Sequence, residues 1–135
     1  MGLFADYLTD RNDDAKTSDE LRGAARVAMA QVRAASSAVD RARRRRLVTA
    51  EARDQLRLTI PAADRRLLLS EVKYYEGKDI ELLEKTLRNV RSEIPPDEQR
   101  VRVKPGSLLE SRLRSADAAA QAAIKMLSNY VEPGN

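Results

Sequence analysis

Residues 21–42 read LRGAARVAMAQVRAASSAVDRA, and this stretch decides the fold. Taken at steps of four and three, Leu21, Ala25, Ala28, Val32, Ala35, Val39 and Ala42 form an unbroken apolar seam. A period of 3.5 keeps one helix face against a partner. A second seam closes the chain: Leu109, Leu113, Ala116, Ala120, Ala123, Leu127 and Tyr130. Most seam residues are Ala, so the two backbones can approach closely. The two stretches read as long struts packed side by side in a helical bundle. Each strut is apolar round more than half its circumference, which predicts neighbours on at least two sides, within the chain or from other copies of it, so the seam residues are also the candidate self-association surface.

Outward from the first strut, Thr17 followed by Glu20 fits a capping box and predicts a helix start there. That helix is expected to run to about Arg46, with Arg41, Arg43, Arg44, Arg45 and Arg46 at the negative end of its dipole. Thr49 suits the cap of a second helix carrying Ala52, Leu56 and Ile60. Pro61 opens a third, which carries Leu67, Leu68, Leu69, Val72 and Tyr75 and is expected to stop at Gly77. Asp79 is expected to cap a fourth, through Ile80, Leu83, Leu87, Val90 and Ile94 to Pro95 and Pro96. Arg100, Val101, Arg102, Val103 and Lys104 alternate with period two, as an extended connector does. Ser107 and Glu110 make a second capping box, and the last helix is expected to end near Val131.

The expected fold is therefore all-α: one domain, a bundle of about five helices, two of them long and Ala-rich. Residues 17–131 form the bundle, residues 1–16 an N-terminal arm, and residues 132–135 a tail. Leu3, Phe4, Tyr7 and Leu8 give the arm a small apolar anchor at helical spacing, suited to docking in a groove.

The apolar fraction of 42% is inflated by Ala, with one Phe and no Trp, so the core is thin. With no Cys, disulfides are excluded as its supplement; with no His, the commonest metal ligand is missing. Oligomerisation is the remaining route for a small domain with a poor core. No run approaches about 18 consecutive apolar residues, so no membrane span is expected. The first residues do not resemble a secretory signal, so a cytoplasmic place, or one within a soluble assembly, is expected.

The same inventory argues against catalysis. The usual general bases and thiol nucleophiles are absent, and there is no Gly-rich phosphate loop. Glu81 with Lys85 and Glu84 with Arg88 have salt-bridge spacing and read as a solvated helix face. Asp10, Asn12 and Asp14 mimic the start of a calcium loop, but Ala15 and Leu21 stand where Gly and Glu are required. No catalytic residue, metal site, cofactor or small-molecule substrate is expected.

Charge is unevenly distributed. Residues 1–20 carry two bases and six acids, while residues 21–60 carry ten Arg and three acids. Arg41, Arg43, Arg44, Arg45 and Arg46, extended by Arg53 and Arg57, are the candidate contacts for a polyanion or an acidic protein surface. Successive helical residues point about 100° apart, so four adjacent Arg ring the helix instead of lining one face. Two functions are expected. The first is a non-catalytic assembly or adaptor subunit, self-associating or docking on a protein, as in large symmetric particles such as phage. The second is a nucleic-acid-binding protein that neutralises phosphates through residues 41–57 without reading sequence.

Overall fold

The computed structural model describes the backbone of residues 2–131 and the side chains of residues 18–131. Five helices and two short strands follow one another: α1 (Gly2–Arg45), β1 (Leu47–Thr49), α2 (Ala50–Gln55), α3 (Ala62–Glu71), α4 (Tyr74–Ser92), β2 (Arg100–Arg102) and α5 (Leu108–Val131). The all-α expectation holds. None of the helices is long and apolar enough, among the described residues, to cross a membrane.

Both seams lie inside the single chain. Ala25, Ala28, Val32, Ala35, Val39 and Ala42 are buried along α1, and Leu109, Leu113, Ala116, Ala120, Ala123 and Leu127 along α5. Leu21 and Tyr130 sit half-buried at the margin of the same core. Two polar contacts set the direction of packing: Arg43 of α1 binds Asp117 of α5, and Gln121 of α5 reaches Ser36 of α1. As the α1 number falls the α5 number rises, so the two helices are antiparallel. The far side of α5 takes α4, whose Ile80, Leu83, Leu87 and Val90 are buried. Arg112 bonding the Asn89 carbonyl and Tyr130 bonding Glu76 make that pair antiparallel too. Helix α3 packs on α1 and contributes Leu68. The division of labour is physical: Ala lets α1 and α5 come close, and the Leu and Ile of α4 fill the flank that Ala leaves open.

Three expected boundaries move. Helix α1 is continuous from Gly2, so no helix starts at Thr17. Thr, Asp and Glu cost only tenths of a kcal/mol inside a helix, so a capping-box sequence does not by itself interrupt one. The expected arm is thus, in backbone, the first turns of α1; the side chains of Leu3, Phe4, Tyr7 and Leu8, and the tail 132–135, lie outside the described residues. One consequence is electrostatic. Asp14 and Arg44 are separated by about 45 Å of helix at 1.5 Å per residue, so the acidic start of the chain does not reach its own Arg cluster.

The second correction concerns Gly77. It does not end α3 but lies buried within α4. The break falls earlier, at Val72 and Lys73, both extended, and the Lys73 N–H donates to Glu76 Oε1 at 3.1 Å to begin α4. A Cβ at Gly77 would come within 3.2 Å of Leu69 Cδ2, so Gly here serves close packing of α3 on α4. The same break turns Tyr75 off the core face on which its spacing placed it: Tyr75 is 65% exposed and Tyr74 80%. Third, α2 stops at Gln55, and Leu56 and Ile60 follow it outside the helix. The caps at Thr49 and Ser107 form as expected, with Thr49 Oγ1 accepting from Ala52 N–H and Ser107 Oγ from Glu110 N–H. Glu110 reaches back to the Gly106 N–H, which the left-handed φ of 76° presents to it.

Candidate functional site

Helix α1 ends in a sharp reversal. Arg46 has φ of 53°, the left-handed conformation that sends the chain from the helix into β1. Strand β1 then pairs antiparallel with β2, Leu47 opposite Arg102, Val48 opposite Val101 and Thr49 opposite Arg100. The ladder continues beyond both strands: Val103 N–H donates to the Arg46 carbonyl at 2.9 Å, and Ala50 N–H to the Gln99 carbonyl at 3.0 Å. A segment expected to be a plain connector is thereby pinned against the end of the Arg cluster, some fifty residues earlier in sequence.

The pairing decides where the cations go. Alternate residues of a strand face opposite sides. Val103 is buried and Val101 half-buried, while Arg100, Arg102 and Lys104 all face out. Together with Arg45 and Arg46 they line one open groove of about 640 Å³, floored by Leu47 and Val103. Among the described residues Arg45, Arg100, Arg102 and Lys104 make no ion pair. The nearest acid is Glu110, 3.9 Å from Arg46 and also engaged by Gly106 N–H and Arg114.

The remaining members of the expected cluster lie elsewhere, as the 100° step requires. Arg43 is held by Asp117 at 2.8 Å, Arg44 by Asp40 at 2.9 Å, and Arg41 donates to Gln55 at 2.8 Å. Arg53 is half-buried and donates to the Pro95 carbonyl. Arg57 lines a separate cavity with Arg88 and Arg91. Only Arg45 and Arg46 of the seven candidates therefore meet in the groove. Arg100, Arg102 and Lys104 were missed as contacts; their signal was the period-two alternation, which places three cations on one face wherever the strand finds a partner.

Two pairs expected on α4 are replaced by others. Glu84 accepts a bidentate contact from Arg65 of α3 at 2.8 and 3.1 Å, and Glu81 pairs with Lys78 at 3.1 Å. Among the described residues no three His, Cys, Asp or Glu side chains come together as a metal site would need. Compared with family models, curated proteins and solved structures, the chain matches none.

Proposed function

We propose that this chain is a non-catalytic docking protein that holds a nucleic-acid backbone in the groove of Arg45, Arg46, Arg100, Arg102 and Lys104, without reading sequence. The observation that carries the reading is the convergence of five cations from two distant segments in a lining that holds no acid, with Glu110 in a long 3.9 Å contact with Arg46 alone of the five. Cations two residues apart on a strand are spaced by about 6.5–7 Å. Such a row suits a repeating anion better than a single one. Apart from the small Pro105, the apolar lining is withdrawn from solvent, Leu47 half-buried and Val103 buried, so the groove lacks the large apolar or aromatic anchor round which protein interfaces are built. Its lining has no aromatic ring on which bases would stack. Phosphate contacts of this kind position a partner and carry no sequence information.

Of the two functions expected from sequence, this reading takes the second. The first drew on apolar faces left over from the bundle, on the Arg cluster meeting an acidic surface, and on the anchor Leu3, Phe4, Tyr7 and Leu8, whose side chains lie outside the described residues. The seams are used up between α1 and α5, and the exposed large apolar side chains among the described residues, Val27, Tyr74, Tyr75, Leu82 and Leu108, are spread over three helices.

The test is fluorescence anisotropy with a mixed-sequence oligonucleotide across a salt series. Five phosphate contacts give a log–log salt slope of about −3.5 on a single strand and about −4.5 on a duplex, a loss of roughly a hundredfold to a thousandfold between about 50 and 200 mM salt. The triple variant R100Q/R102Q/K104Q flattens the slope by about 2 to 3. Arg43→Gln, whose side chain is already committed to Asp117, leaves it nearly unchanged. Binding that ignores salt, or that survives the triple variant, overturns the proposal.

A further inference from the structure

A second basic cluster lies apart from the groove. Arg88 and Arg91 stand one turn apart on α4, and Arg57 faces them from the non-helical segment 56–61. The three line a cavity of about 300 Å³ with Thr59 and Ile60. Glu84 is the one acid at its rim, and both its oxygens are held by Arg65. Three cations therefore share a cavity with no free counter-charge. Arg91 is pinned there by its bond to the Leu56 carbonyl. Its guanidinium is held below the ordinary arginine range, first by burial and then by the charges of Arg57 and Arg88. Segment 56–61 adds a neutral hydroxyl-bearing residue, Thr59, to the lining.

We propose that Arg57, Arg88 and Arg91 form a binding site for one phosphate-class oxyanion, separate from the groove. Three planar guanidinium groups brought together from two elements suit an anion that carries acceptor oxygens on several sides. A carboxylate offers two oxygens in one plane and leaves one fork unmatched. The bound anion bridges α4 to the segment between α2 and α3, and offsets the mutual repulsion of Arg57, Arg88 and Arg91. Removing one of the arginines therefore acts in two opposite directions. It relieves the anion-free protein and disables the site.

The experiment is thermal unfolding and calorimetric titration of the full chain with inorganic phosphate, against chloride at matched ionic strength. Phosphate raises the midpoint in proportion to the logarithm of its concentration, as a ligand of the native state does; chloride does not. Arg57→Gln raises the midpoint in low-salt chloride and weakens phosphate binding by at least about tenfold, the worth of one charged hydrogen bond. Arg88→Lys, which keeps the charge and loses the fork, falls between. The groove variant R100Q/R102Q/K104Q keeps the full phosphate response, so failure of the groove reading and failure of this one are distinguishable. Equal midpoints in phosphate and chloride overturn the site, and so does a phosphate response that survives R57Q/R88Q. If R57Q/R88Q instead weakens oligonucleotide binding while the wild-type chain ignores inorganic phosphate, the trio belongs to a polymer-binding surface, and the discrete site is likewise overturned.

Discussion

Arg46→Gly separates what the fold wants from what the groove wants. Arg46 follows the last residue of α1 and carries φ of 53°. A side chain in that conformation costs about 1–2 kcal/mol, which is why Gly is the usual residue at this place after a helix. Glycine removes the strain but enlarges the freedom of the unfolded chain, returning about 0.4–1 kcal/mol. The contact with Glu110 is long, at 3.9 Å, and the Arg46 side chain is 61% exposed, so its loss counts for almost nothing. The Arg46 carbonyl keeps its bond from Val103 in either case. The net expectation is a gain of about 0.5–1 kcal/mol, or roughly 2–4 °C in the thermal midpoint.

The same substitution removes one cation from the groove, so the salt slope of oligonucleotide binding falls by about 0.7–0.9. Arg45→Gly is the control. It removes the neighbouring cation with the same loss of slope, but places Gly in the last helical position and costs up to about 1 kcal/mol. Urea unfolding and the anisotropy salt series, run on both variants, check the pair of signs. A less stable Arg46→Gly protein refutes the strain argument. An Arg46→Gly protein that binds with an unchanged slope takes Arg46 out of the groove.

Two further outcomes test the packing. Ala120 is fully buried on the face of α5 toward α1, so Ala120→Leu overpacks the helix contact and costs about 1–3 kcal/mol, while Ala122→Leu on the exposed side stays within about 0.5 kcal/mol; urea midpoints distinguish them. Tyr130 ties α5 to α4 through Glu76, and its hydroxyl is pushed up to about 12 by burial first and by the Glu76 carboxylate second. Because the folded value lies above the ordinary 10.0, this contribution is whole below pH 10 and is lost as pH rises toward 12. Tyr130→Phe therefore costs about 1–2 kcal/mol at neutral pH and flattens that part of the alkaline stability curve, measured by denaturant unfolding at stepped pH.

The seams were legible because burial on a helix repeats at three and four, and Ala and Leu kept that spacing from Ala25 to Ala42 and from Leu109 to Leu127. The caps at Thr49 and Ser107 were legible because a hydroxyl that accepts an N–H is a local event. The α3–α4 break was not. Its sequence, Val72 and Lys73, carries no Ser, Thr, Asp or Gly, while a Gly four residues on offered a false stop. What crowds Gly77 is the Leu69 side chain on another helix, 3.2 Å from where a Cβ would stand, and no local spacing records that. The groove was half legible. Alternation put Arg100, Arg102 and Lys104 on one face, but their partner strand is Leu47–Thr49, and a three-residue strand after an Arg run carries no pairing signal. Listing the cluster by sequence alone gathered Arg41, Arg43 and Arg44, which the fold pairs with Gln55, Asp117 and Asp40.

Charged residues on a short sheet edge also have a purely protective use, since they keep the edge from pairing with another strand. The two uses of Arg100, Arg102 and Lys104 separate under charge reversal. Glu at all three positions keeps the edge charged and the alternation intact, while the formal net charge of the chain goes from +4 to −2. A protective role needs charge of either sign, so the Glu variant satisfies it. A phosphate-holding role needs positive charge, and Glu beside Arg45 and Arg46 both repels phosphate and occupies the two cations that remain. The expected protein is folded and monodisperse on a sizing column, and carries no measurable oligonucleotide affinity. Replacement by Ser, which removes the charge altogether, loses binding as well and leaves the edge open to association. If the Glu variant binds as the wild type does, protection accounts for the three cations, and the groove holds no nucleic acid.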